Sequence, residues 1–178
     1  LLKTGREDRA IEAFAEAATH APALVEAHVE LGVSLHAVGR PREAALAYDR
    51  ALRLNPDHER ARFNRGLARR AQGEFRSARR DFEALGQSPR FGAVSRVELA
   101  LLRLRIGGPK AARTALRYLR AALRREPANA SAHYNLGQLL RRLGKVHEGR
   151  RHLGRVADSP YAALARAALH HPSRGDRP

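Results

Sequence analysis

Apolar and small residues return along this chain at a step of 34 positions: Gly5, Gly39 and Gly73, then Ala10, Ala44 and Ala78, then Phe14, Tyr48 and Phe82, with Pro22 and Pro56 on the same step. The stretch Val25–His58 is the clearest unit. It predicts a helix, a tight turn at Gly39, a second helix opened by Pro41, and a stop at Asn55-Pro56. Gly suits the left-handed position that ends a helix, and Pro is tolerated in the first turn of the next. A fixed period of this length marks stacked helix pairs, none of which can bury its apolar face alone.

Taken in order, residues 1–24 predict the second helix of an incomplete repeat, and residues 25–58 a full one. Residues 59–95 form a repeat with an extended connection, in which Arg62, Arg65 and Arg69 stand where His28, Leu31 and Leu35 stood. Those places face a neighbouring helix, so this pair is expected to pack loosely or to rotate slightly, with the arginine stems laid over apolar surface. The step then slips to 37, from Ala78 to Ala115 and from Phe82 to Leu119. Ser88-Pro89 predicts a cap and a longer helix, Pro89–Ile106, before the repeat of residues 96–129 closes. Residues 130–160 restore the pattern, with Gly149 in the alanine place of the second helix, a substitution expected to weaken it slightly. Residues 161–171 predict a capping helix and 172–178 a disordered tail.

The quoted positions His28, Leu31-Gly32, Leu35, Ala44-x3-Tyr48 and Pro56 resemble the tetratricopeptide repeat pattern of a bulky residue, Leu-Gly, an aromatic, Ala-x3-Phe and a closing Pro. The resemblance implies an all-α, right-handed superhelical solenoid of antiparallel helix pairs that binds other proteins. It also implies that the first helix of each pair lines a concave groove. On that placement the groove residues are Val29 and Val33, then Arg60, Phe63, Asn64, Leu67 and Arg70, then Ala100 and Leu104, then Tyr134, Asn135, Gln138 and Arg141. Phe63, the largest apolar side chain, is expected to anchor a partner. Some family members hold a C-terminal carboxylate in a two-repeat clamp. Arg60 and Asn64 match one part of it, but Val29 and Val33 stand where it needs Lys and Asn, so that activity is not carried over.

Charge changes the picture more than composition does. The 178 residues carry 34 basic and 18 acidic side chains, net +16, and the excess begins only after residue 58. Arg113, Arg117, Arg120 and Arg124 are spaced 4, 3 and 4, so they share one face of a helix. Arg76 and Arg80 precede them at matching places and Arg151 and Arg155 follow, which predicts a basic belt on the second helices. Such asymmetry points to an acidic partner, a nucleic acid or an anionic membrane surface.

Catalytic patterns are lacking: there is no HExxH, no GxSxG and no dinucleotide glycine motif, and without cysteine neither disulfides nor thiolate metal sites can form. No catalytic, cofactor or metal residue is therefore assigned. His28 and His133 read as core positions. The expected function is a non-catalytic scaffold docking a protein or peptide partner in its groove. The alternatives are a polyanion binder working through the belt, and the interaction arm of an enzyme encoded upstream. The chain opens at Leu1 in mid-repeat, which reads as a trimmed chain and leaves the compartment open between cytoplasm and periplasm.

Overall fold

The computed structural model of the chain describes residues 4–156 and 158–170. They form ten helices and, among the described residues, no strand. In order these are α1 Thr4–His20, α2 Val25–Ala37, α3 Pro41–Leu54, α4 Glu59–Ala71, α5 Phe75–Ala84, α6 Gly92–Ile106, α7 Ala111–Arg125, α8 Ala130–Arg142, α9 Val146–Gly154 and α10 Ala162–His170. The chain divides into two compact units, Leu1–Phe91 and Gly92–Pro178. The expected tail at 172–178 lies outside the described residues.

In the first unit α2 pairs with α3 and α4 with α5. Gly39 and Gly73 turn each pair back on itself at φ +78° and +79°, a conformation that costs an L side chain about 1 kcal/mol or more. The partners lock by a knob on a gap. A Cβ on Gly32 would lie 2.5 Å from the Tyr48 ring, and one on Gly66 would lie 2.7 Å from the Phe82 ring. Both rings are almost completely buried, each contributing roughly 2–3 kcal/mol by leaving water. Val29, Leu35, Ala44, Ala51 and Leu52 complete the core around Tyr48.

A second device recurs at the start of the first helices. His28 donates from Nε2 to the carbonyl of Pro22 at 3.0 Å, and His133 donates from Nε2 to that of Pro127 at 2.9 Å. Arg62 donates from Nη2 to Pro56 in the same way. The two histidines are buried, as the pattern predicted, but their function there is polar. Each clasps the carbonyl of the proline that closes the preceding repeat, six residues back. Arg62 does the same work with a longer arm.

Arg65 and Arg69 do not loosen α4. Arg65 donates from Nη1 to Asp49 on α3 at 2.7 Å, and from Nη2 and Nε to the two carboxylate oxygens of Asp81 on α5 at 2.5 and 3.1 Å. Arg69 reaches the same two aspartates at 3.1 and 2.9 Å. Asp81 is 3% exposed. The places a leucine pair would occupy thus hold a four-charge network tying α3, α4 and α5 together. Burial opposes the Arg65 charge, but hydrogen bonds and charges from Asp81 and Asp49 outweigh it and raise its pKa.

The second unit pairs α6 with α7 and α8 with α9. The expected Pro89 start of α6 is corrected to Gly92. Ser88 accepts the Phe91 N–H at 2.8 Å and donates to Glu59 at 2.8 Å, so residues 89–91 make a turn. The helix still runs 15 residues, against 13 for α2, α4 and α8. Gly149 is also corrected. A Cβ there would meet Arg141 Cγ at 2.6 Å and the Gly137 carbonyl at 2.8 Å, while one on Gly137 would meet the Gly149 carbonyl at 2.9 Å. Two glycines face each other where α8 crosses α9, and the close approach outweighs the helix propensity lost. Leu153, Val156 and Ala165 form the terminal core, with Tyr134, Tyr161 and Leu169 against it.

Candidate functional site

On α4, Arg60, Phe63, Asn64, Leu67 and Arg70 follow the 3–4 spacing of one helix face. The first helices α2 and α4 lie side by side along it. Arg60 pairs with Glu30 at 2.5 Å, and the ring of His58, which also caps α4 by accepting the Ala61 N–H, meets Glu26 at 3.0 Å. Phe63 is partly buried between two other rings, 5.6 Å from Phe82 and 5.3 Å from Phe91 by centroid. Asn64 reaches the Tyr48 hydroxyl, whose ionisation burial drives far upward. Leu67, Arg70 and, on α2, Val33 are partly buried. Val29 is a different case: it is fully buried in the core and offers no surface to a partner.

In the second unit Ala100 is likewise fully buried, and Leu104 packs against the core. Tyr134 stacks on Tyr161 with centroids 5.2 Å apart, and its hydroxyl accepts from Gln138 at 3.1 Å. Asn135 turns back to its own helix, donating to Ser131 at 2.8 Å. Arg141 faces inward: it is 5% exposed and donates from Nη1 to the Ala168 carbonyl of α10. It fastens the last helix and is withdrawn from any groove.

The belt arginines are all exposed: Arg76 and Arg80 in the first unit, and Arg113, Arg117, Arg120, Arg124, Arg151 and Arg155 in the second. Among the described residues none of these six in the second unit forms an ion pair. Three of them, Arg120, Arg151 and Arg155, line a cavity of about 300 Å³ together with Glu148 and His152. His152 is hydrogen-bonded through Nδ1 to Nδ1 of His133 at 2.8 Å. Its pKa is held below the ordinary value, first by burial and then by His133, Arg155 and Arg151. The sequence pattern did not single this residue out, because its place in the repeat of residues 25–58 is Ala47. Among the described residues no group of three or more His, Asp or Glu is gathered as a metal site would be, and no helix is long and apolar enough to cross a membrane.

Family models described as tetratricopeptide repeat match residues 29–90 and 118–151. The chain belongs to the tetratricopeptide repeat family, whose fold is that of protein–protein interaction scaffolds, generally non-catalytic. Solved structures agree. MamA from Desulfovibrio magneticus RS-1 is 18% identical with TM-score 0.72, covering 96% of this chain and 91% of that one. The pilF protein of Pseudomonas aeruginosa is 21% identical with TM-score 0.75, covering 88% and 70%. YrrB, described as a TPR protein with an unusual peptide-binding site, is 19% identical with TM-score 0.65, covering 90% and 85%. At these identities the likeness establishes the fold. No curated protein sequence matches the chain.

Proposed function

We propose that the chain is a scaffold that docks a protein segment on the first-helix face of its first unit. The observation that carries this is the α4 face itself. Phe63 and Leu67 form an apolar strip only partly covered by the chain, Val33 on the neighbouring helix extends it, and Arg60, Asn64 and Arg70 flank it. Apolar anchors with a polar rim suit an extended or helical peptide. The peptide-binding site named for YrrB supports the same use of the fold. In the second unit Leu104, Tyr134, Asn135 and Gln138 are the corresponding candidates.

The packing of Phe63 between Phe82 and Phe91 governs how the reading is tested. Phe63→Ala removes stacked core as well as any anchor, so its effect on binding would be confounded. Leu67→Glu and Val33→Glu place a charge on the strip without emptying that stack. A partner recovered by crosslinking from the native source should lose at least tenfold in affinity with either variant, at unchanged helical circular dichroism. Retained affinity in both variants rejects the face.

A second reading is carried by the six exposed arginines of the second unit, which form no ion pair among the described residues: attraction of a polyanion to the belt. Duplex DNA held there would weaken steeply with salt as counterions are released.

A further inference from the structure

We propose that the cavity among Arg120, Glu148, Arg151, His152 and Arg155 is a discrete site for a phosphomonoester-type dianion. It lies in the second unit and shares no residue with the docking face, and it narrows the polyanion reading from a diffuse belt to one pocket.

The chain's own repeats supply the control. A shift of 105 residues, three repeat steps including the long one, lays Pro22 and His28 over Pro127 and His133. The proline clasp is therefore common to both places and is structural. The same shift lays Arg40 and Glu43 over Lys145 and Glu148, and both pairs are ion-paired, at 2.7 and 3.6 Å. Arg50 falls on Arg155. What differs is specific: Ala15, Leu46 and Ala47 are replaced by Arg120, Arg151 and His152. Each replacement adds a nitrogen donor or a titratable ring, and all three line one cavity. A fold that works with hydrocarbon at these places needs none of them for its stability.

The ring geometry fits an acceptor ligand. The Pro127 carbonyl can only accept, so His133 carries its proton on Nε2, and in the neutral ring its Nδ1 is an acceptor. His152 then donates from Nδ1 to His133, so that bond does not occupy Nε2 of His152, a residue of the cavity lining. A dianion beside Nε2 favours its protonation, turning a neutral acceptor into a charged donor. The groups facing His152 are His133 from α8, Arg120 from α7, and Glu148, Arg151 and Arg155 from α9 and its last turn; α10 adds none to the lining. Glu148 is the one opposing charge, drawn partly aside by Lys145 at 3.6 Å. Three guanidiniums give multiple charge-assisted donors, the arrangement that recognises phosphate oxygens.

The test is calorimetric titration of the full chain with inorganic phosphate, O-phosphoserine and sulfate at low ionic strength. All three should bind at one site. Sulfate stays a dianion between pH 5.5 and 7.5, so a several-fold gain in its affinity on acidification isolates His152. His152→Ala, the residue the fold already accepts at Ala47, should remove that pH dependence. Arg120→Gln with Arg151→Gln should weaken phosphate at least tenfold, and Glu148→Gln should strengthen it. O-phosphoserine binding well above inorganic phosphate would identify a phosphorylated side chain as the source, and equal binding a free phosphate. Absence of binding by all three anions overturns the site. So does a loss from Arg113→Gln, Arg117→Gln and Arg124→Gln as large as that from the pocket variants, since that is the signature of a diffuse belt.

Discussion

Asp81 sits almost wholly out of water between two guanidiniums, which makes it the residue on which the first unit is most exposed to damage. Removing one partner of a buried ion network leaves uncompensated charge and costs on the order of 3 kcal/mol or more. Asp81→Asn should therefore lower the urea midpoint markedly, while Asp57→Asn, at an exposed turn, should leave it in place. Equal, small effects of the two would show that water already screens the network. Why the sequence reading missed this pairing is plain from the spacing. Asp49 and Asp81 lie 16 residues either side of Arg65, beyond any local helical pattern. Asp49 follows Tyr48 on α3 and Asp81 precedes Phe82 on α5, on opposite flanks of the two rings, and each reaches α4 only because that helix packs against both α3 and α5. Periodicity groups residues by face but does not give their depth: Val29 and Ala100, expected in the groove, are fully covered.

At the level of helices, the repeat step located the pairs and their turns because Gly39, Gly73 and Gly144 recur where positive φ is needed. Helix crossings were less legible. By propensity alone Gly149 weakens α9, whereas its close approach to Gly137 requires it. Gly→Ala in an exposed helix interior gains about 1 kcal/mol. Here Gly149→Ala should instead destabilise by roughly 1–3 kcal/mol, the usual cost of overpacking, as Arg141 and the Gly137 backbone are pushed away. The displacement of Arg141 would also loosen its bond to Ala168, so hydrogen exchange in α10 should accelerate more than in α6. A thermal midpoint raised by Gly149→Ala would contradict the crossing.

Across the molecule, the +16 charge is divided very unequally: by sequence the first unit holds 16 basic and 13 acidic residues, and the second 18 and 5. Among the described residues, His36 in the first unit and His152 in the second are disfavoured as cations. His36 is held below its ordinary pKa by burial and then by Arg70, and His152 by burial and its cationic neighbours. The sign follows directly. The unfolded histidines titrate near 6.5, the folded ones lower, so on acidification the unfolded chain takes up protons first. The stability these two histidines contribute is full above about pH 6.5 and falls below it. The thermal midpoint should drop between pH 7.5 and pH 5.5, and the drop should shrink in the double variant His36→Gln, His152→Ala. A midpoint that rises on acidification would oppose this assignment.

The proline clasp has a consequence for how this chain can be edited. A bond between residues six apart works as a ruler: one residue inserted between Pro22 and His28, or between Pro127 and His133, moves the donor off its carbonyl. The glycine turns carry no such measure. Growth by insertion is thus penalised at the joints between repeats and tolerated inside them. Where the step lengthens from 34 to 37, Pro89 stands six residues before Ser95 near the start of α6, the same interval as Pro22 to His28, Pro56 to Arg62 and Pro127 to His133. The extra length comes after that interval: α6 runs 15 residues against 13, and the turn from α6 to α7 takes four residues where the turns after α2 and α4 take three. The chain has grown inside a repeat, where no clasp measures it.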